Sequence, residues 1–225
     1  GPIFANCLLC DEINRTPPRT QSAVLELMEE RQVTVFGETR KLPEPFFVIA
    51  TQNPLEQEGV YPLAEAQVDR FLFKVMVDLP PEEHEIAIVE HVLSGRKAKA
   101  EPVVDPTRFL AVQRAAAEVF VHRDLVQFAV RLCRQVSKSA MVRGPLGPRA
   151  TLSMVRAAQA RAALSGRQWI SPHDVGYVFL PAARHRVHLT PDAVYGEVTA
   201  DSVLEEAREA VPMPRKPGSN PEWNG

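Results

Sequence analysis

Two short apolar runs mark the first fifty residues: Ile3 to Leu9, interrupted only by Asn6, and Phe46 to Ala50. Neither alternates polar with apolar. Continuous runs of this length are expected of central strands in a parallel sheet, buried on both faces. Each run ends in polar residues, the first in Asp11-Glu12 after Cys10 and the second in Thr51-Gln52-Asn53 before Pro54, which stops the strand. Between them, Ile13 to Pro18 reads as a turn. A helix then opens with Thr20 as N-cap, carrying Val24, Leu27, Met28 and Arg31 on one face and Glu26, Glu29 and Glu30 away from it. Gln32 to Phe36 and Glu38 to Leu42 flank Gly37 as a hairpin, either a structural edge or a mobile loop that touches a client. A helical stretch from Pro62 to Asp69 leads into a third apolar segment, Phe71 to Val77, read as a strand.

Beyond Leu79-Pro80-Pro81 the period changes. Two prolines end the strand and open a helix at Glu82, with Ile86, Ile88, Val89 and Val92 on its apolar side and Ser94-Gly95 at its end. Lys97 to Pro102 is a charged, proline-bearing connection. Helical patterns then run over Thr107–Val119, Asp124–Ser139, Arg149–Leu164 and Pro172–Ala183, the last capped by Ser171. From Met213 onward Pro, Gly, Ser and Asn dominate, which predicts disorder. The expected organisation is an α/β part over 1–79, a helical part over 80–211 and a tail over 212–225.

The strand ends carry the candidate chemistry. Paired carboxylates at the tip of a buried strand are costly unless something uses their charge. A divalent cation is the commonest use, one acid holding it through water while the other activates a nucleophile. Ligand groups project from the carboxyl ends of strands in open α/β sheets, so Asn53 and the Asp11-Glu12 pair are expected to share one crevice. An amide that both accepts and donates suits a residue positioning an attacking water. Arg70, just before the third apolar segment, either pairs with Asp69 or another acid, or reaches across a subunit boundary to a γ-phosphate.

Composition narrows the class. A net charge of −2 over 225 residues, with 45% apolar and 24% charged, argues for a packed protein and against bulk electrostatic binding to nucleic acid or membranes. No apolar run reaches the roughly 18 residues of a spanning helix. Three cysteines, with Cys7 and Cys10 sent to opposite faces of a strand and no second C-x-x-C, are read as structural thiols of a reducing, cytoplasmic compartment. Arg184-His185-Arg186-Val187-His188 reads as a solvated surface near a helix end. The six histidines form no ligand pattern, and no G-x-S-x-G elbow occurs.

Together these segments resemble the MoxR family of AAA+ ATPases. The resemblance is carried by Gly1 to Asn6, Leu8 to Arg15, Thr20-Gln21-Ser22, Met28 to Val35, Ala50 to Pro54, Glu56 to Gly59, Tyr61 to Gln67 and Asp69-Arg70-Phe71. Later, Arg143-Gly144-Pro145-Leu146-Gly147-Pro148-Arg149-Ala150 looks like the family's lid motif, with Leu146-Gly147 where a shorter, Ser-containing turn is more usual. Weaker similarity runs to about residue 190. The resemblance implies the second half of a parallel-sheet P-loop core followed by an all-helical lid. It implies ATP and Mg²⁺ as cofactors, with Asp11 holding Mg²⁺ through water and Glu12 polarising the attacking water. Asn53 matches sensor 1, Arg70 the arginine finger and Arg149 sensor 2, and the Gly37 hairpin matches the pre-sensor-1 insertion. It further implies a homo-oligomeric ring, a hexamer, that remodels or matures a protein client such as a von Willebrand A domain protein or a metalloenzyme. No G-x-x-x-x-G-K-[ST] loop occurs in these 225 residues. The chain is therefore expected to be a fragment whose phosphate loop precedes Gly1, nearly inactive by itself. The alternatives are a regulatory fragment that lends Arg70 to a complete ATPase, and a related chelatase-type motor.

Overall fold

A computed structural model describes residues 3–35, 37–53, 59–95 and 99–214. Residues 1–2, 36, 54–58, 96–98 and the tail beyond Pro214 lie outside the described residues, and with them the Gly1-Pro2, Pro54 and Glu56-Gln57-Glu58 parts of the resemblance.

Strand β1 (Cys7–Cys10) pairs in parallel with β4 (Phe47–Ala50), in a register that sets Cys7 opposite Phe47 and Cys10 opposite Ala50. The crossover between them holds a short 3-10 turn (Ile13–Arg15), helix α1 (Pro18–Glu30) and an antiparallel hairpin of β2 (Gln32–Val35) and β3 (Glu38–Lys41). Helix α1 starts two residues before the expected Thr20, with Pro17 as the flanking residue and Pro18 in its first turn. Proline's fixed φ is preorganised there, and its missing N–H has no helical partner to lose. The helix ends at Arg31 in the left-handed region, whose N–H donates to Leu27 O at 3.1 Å. Gly37 at φ +82° lets the hairpin reverse where a β-carbon would be strained.

Leu27, Leu42 and Phe46 form a small core into which Leu8, Val33 and Val48 pack. It covers one face of the β1/β4 pair. The other face, with Leu9, Phe47 and Ile49, is exposed among the described residues. Among the described residues no third layer lies against that face.

The predicted strand over Phe71–Val77 is not formed. Helix α2 is confined to Glu65–Val68, and no ladder joins residues 71–77 to a neighbour among the described residues. Val77 is 90% exposed. The polar groups at the start of this segment are satisfied by the helical part instead: Lys74 N–H donates to Pro181 O at 2.8 Å, and Phe71 O accepts from two side chains there.

The helical part begins with α3 (Glu82–Leu93) and α4 (Pro106–Ala117), neither of which has a buried side chain. Its core lies in α5 (Arg123–Val136), α6 (Pro148–Leu164) and α7 (Pro172–Ala183), closed by a 3-10 turn (Arg184–Arg186), α8 (Pro191–Tyr195) and α9 (Ala200–Ala210). Leu125, Leu132, Val136, Met154, Val175, Phe179 and Leu204 are fully buried together. Ala150, Ala157, Ala158 and Ala162 keep the α6 surface thin enough for α5 and α7 to approach closely. Helices α8 and α9 were not expected. Their signals are Thr190-Pro191 and the reciprocal Thr199–Ser202 capping bonds, each a local start signal for a helix. No helix among the described residues is long and apolar enough to cross a membrane.

Candidate functional site

Parallel pairing brings the carboxyl ends of β1 and β4 to the same edge, and Thr51 ties them together. Its N–H donates to Cys10 O at 3.0 Å, and its carbonyl accepts from Ile13 N–H at 3.0 Å. Its hydroxyl accepts from Glu12 N–H at 2.8 Å and donates to Asp11 Oδ1 at 2.6 Å. One threonine thus fixes both acids against the neighbouring strand. Sequence reading passed over it, although a hydroxyl one residue beyond a strand end, beside two acids, is a natural bridge. Asn53 lies two residues further on, half-buried at the same edge.

Glu12 occupies the left-handed backbone region at φ 47°, uncommon for a residue with a β-carbon. This turn starts the Ile13–Arg15 3-10 segment and brings Arg15 Nε to 3.2 Å from Glu12 Oε2. Asp11 is exposed and Glu12 half-exposed. The carboxylates are therefore not stranded in an apolar environment, as the strand pattern had suggested. Solvent, the Thr51 hydroxyl and Arg15 compensate them.

Arg70 and Arg149 lie on other partners. Arg70 Nε sits 2.9 Å from Glu29 Oε1 on α1, so its acid is Glu29 and not Asp69. Arg149, at the start of α6, donates from Nη1 to Asp69 Oδ2 at 2.9 Å. Asp11 and Glu12 thus share one edge through Thr51, two residues before Asn53, while Arg70 and Arg149 pair with Glu29 and Asp69.

Asp69 receives a second guanidinium. Arg186, only 7% exposed, donates from Nε to Asp69 Oδ1 at 2.6 Å and from Nη2 to Asp69 O at 2.9 Å and Phe71 O at 3.0 Å. Its Nη1 donates to Ala182 O. Burial pushes the Asp69 carboxyl up, but the hydrogen bonds and charges of Arg186 and Arg149 outweigh it and hold its pKa below the ordinary value. Around this centre, Arg184 donates to Lys74 O at 3.3 Å, and Arg143 pairs with Glu65 of α2. The stretch 184–188 is therefore not a solvated surface. Its position directly after an apolar helix was the available signal, because cations entering a core must find acceptors.

His185 donates from Nε2 to Phe71 O at 2.9 Å, and its Nδ1 is buried without a hydrogen-bond partner. Burial first, and then the Arg186 charge, pull its pKa down to about 4 from 6.5. The unfolded chain takes up this proton near pH 6.5, the folded chain only near pH 4. Stability present above pH 6.5 is thus lost as the pH falls through that window, by about 3 kcal/mol at its lower end. Urea midpoints at pH 7.5 and 4.5 should show a loss in the wild type that a His185→Gln variant largely lacks. Equal losses in both would remove His185 as the cause.

The thiols remain outside this chemistry. Cys7 is exposed and Cys10 half-buried on opposite faces of β1, and Cys133 is buried in the helical core, where burial raises its pKa.

Comparison with known proteins agrees with this layout. A family model described as the ATPase family associated with various cellular activities (AAA) matches residues 1–73, and one for the AAA lid domain matches residues 135–207. Chaperone MoxR1 of Mycobacterium tuberculosis is 41% identical over 224 residues, covering 96% of this chain and 59% of the relative. The uncharacterized protein YeaC of Bacillus subtilis is 39% identical over 215 residues, covering 95% and 67%. The chain belongs to the MoxR family of AAA+ ATPases. A crystal structure of a candidate ATPase from Cytophaga hutchinsonii superposes with a TM-score of 0.90 at 31% identity, covering 96% of this chain and 68% of that one. The fold class is accordingly that of an AAA+ α/β core, with a parallel sheet, followed by a helical lid. The lid match to residue 207 takes in α8 and most of α9, so the resemblance reaches beyond the expected limit near residue 190. This MoxR chain spans 59% of the length of MoxR1 and 67% of YeaC.

AAA+ membership implies nucleotide and Mg²⁺ in general, and the acids at the sheet edge fit the metal. Exposed carboxylate oxygens on Asp11 and Glu12 suit a hydrated Mg²⁺, which keeps most of its waters and takes few protein ligands. No cluster of three or more His, Cys, Asp or Glu side chains among the described residues is placed to cage a metal. Arg70 and Arg149 carry guanidiniums of the kind that bind phosphate oxygens, here paired with Glu29 and Asp69.

Proposed function

We propose that the MoxR protein carrying this chain hydrolyses ATP in a homo-oligomeric ring, a hexamer, and uses the motion to remodel or mature a protein client. The observation that carries this reading is the parallel sheet edge where Thr51 holds Asp11 and Glu12 together, two residues before Asn53. Asp11 holds Mg²⁺ through its water shell. Glu12 accepts the proton of the attacking water, and Asn53 orients that water. A bound Mg²⁺ would supply partial neutralisation of the phosphate charge at this edge. Arg70 acts on nucleotide bound by the adjacent subunit, and Arg149 reaches it from the lid. The chaperone name of MoxR1 supports a protein client, and the family resemblance suggests a von Willebrand A domain protein or a metalloenzyme. Residues 1–79 form the core part and 80–211 the lid.

Subunit mixing tests the shared site. In the full-length protein, Glu12→Gln subunits should be silent but still able to offer Arg70, while Arg70→Ala subunits keep a complete water-activating edge. Each homogeneous ring should lack turnover, and mixing the two should restore a measurable fraction of it. Mixed rings that form yet stay silent would sink the trans role of Arg70.

A further inference from the structure

The lid contains a buried cation that the proposed reaction does not use. Arg186 lies in the 3-10 turn after α7, yet every described partner but Ala182 belongs to the core side of the chain. Two of those partners are the carbonyls of Asp69 and Phe71, the residues on either side of Arg70. A third is the Asp69 carboxylate, whose other oxygen holds Arg149. The planar fork of a guanidinium can serve these divergent acceptors at once, which the single head of a lysine cannot. His185 adds a second donor to Phe71 O. The backbone around Arg70 is thereby fastened to the lid at both flanks, while its side chain projects to Glu29.

We propose that Arg186 is a positioning residue for Arg70: through the carbonyls of Asp69 and Phe71, it makes the lid set where Arg70 is presented to the neighbouring subunit. This inference rests on the assignment of Arg70 to a neighbour's nucleotide. Its consequence is mechanical. A lid that turns carries the 3-10 segment with it, and the grip on residues 69 and 71 passes that turn to the guanidinium between them. Lid angle in one subunit then governs hydrolysis in the next. Arg184, which holds Lys74 O further along and pairs with Asp201 at 3.0 Å, docks the same segment without flanking Arg70.

The test uses full-length subunits mixed in one ring. Glu12→Gln subunits serve as finger donors and Arg70→Ala subunits as acceptors, so turnover reports only how well the donor presents Arg70. Adding Arg186→Lys to the donor keeps a cation beside Asp69 but loses the fork. Recovery is expected to fall at least tenfold, with ring assembly and circular dichroism unchanged. Adding Arg184→Lys instead should leave recovery within about threefold of the unmodified donor. Unchanged recovery with the Arg186→Lys donor, or an equal fall with the Arg184→Lys donor, overturns the proposal. Arg186→Gln, planar and uncharged, supplies the same comparison if the lysine variant does not assemble. The unmodified donor and acceptor pair separates the two ideas: its own failure to recover counts against the trans role of Arg70, and failure only with Arg186 altered concerns the grip.

Discussion

Replacing Asp174 with alanine is expected to lower the stability of the lid by about 3–5 kcal/mol, the range for removing one partner of a buried ion pair. Asp174 is 0% exposed and sits at the first turn of α7. Its carboxylate accepts two bonds from Arg167 at 2.7 Å each, one from Arg161, and two from the Ser171 N–H and hydroxyl at 2.8 Å. Its own N–H donates back to Ser171 Oγ at 3.3 Å, completing a reciprocal helix start. Alanine would leave two guanidiniums facing a cavity and the cap half-made. Arg161 also lies over the Tyr177 ring, 4.3 Å from its centre, and is itself partly exposed, so Arg161→Ala should cost far less. Urea unfolding followed by circular dichroism gives both numbers, and an Asp174→Ala midpoint close to wild type would mean the network carries little of the lid's stability.

The same carboxylate predicts a pH response. Burial pushes Asp174 up, but the bonds from Arg167, Ser171 and Arg161 more than reverse it and leave its pKa at about 2, below the ordinary 3.8. The unfolded chain binds this proton first, so the contribution is intact above pH 4 and fades as the pH falls toward 2. It amounts to about 2 kcal/mol.

The sequence exposed the parts of this molecule whose physics is local. The apolar strand ending in Asp11-Glu12, the strand ending before Asn53, the hairpin at Gly37 and the Ser171 cap all follow from neighbours a few residues apart. The same locality explains the helices over 82–93 and 172–183, found where expected. What stayed hidden depends on partners far along the chain. Arg186 and Asp69 are 117 residues apart, so nothing near Arg184-His185-Arg186 shows that its cations have acceptors waiting. The apolar run at Phe71–Val77 has strand composition, but a strand also needs a neighbour for its ladder, and none pairs with it among the described residues. The match to the MoxR family was legible because its motifs concentrate in the first eighty residues. The positions of Arg70 and Arg149 on Glu29 and Asp69 were not, since each could have found several acids.

Glu12→Gln in the full-length protein is expected to reduce ATP turnover by about 10²–10⁴-fold while leaving nucleotide binding close to normal, the loss typical of removing a positioned general base. The glutamine side chain keeps the length and shape of glutamate and can still accept a hydrogen bond from water, but its amide will not take the water's proton. The fold around it should tolerate the change. The backbone N–H of residue 12 still donates to Thr51 Oγ1, and the lost ion pair with Arg15 is half-exposed, worth no more than about 1 kcal/mol. Asp11→Asn makes the informative contrast, because it alters the residue assigned to the metal and should raise the Mg²⁺ concentration needed for binding. Turnover and equilibrium nucleotide binding measured across a Mg²⁺ titration distinguish the two. If the Glu12→Gln protein hydrolyses ATP at the wild-type rate, the base lies elsewhere. If instead it fails to bind nucleotide at all, Glu12 belongs with the metal rather than with the water. Bound ATP that accumulates without being cleaved would leave Glu12 as the group that takes the proton, with Thr51 as the bridge that holds it beside Asp11.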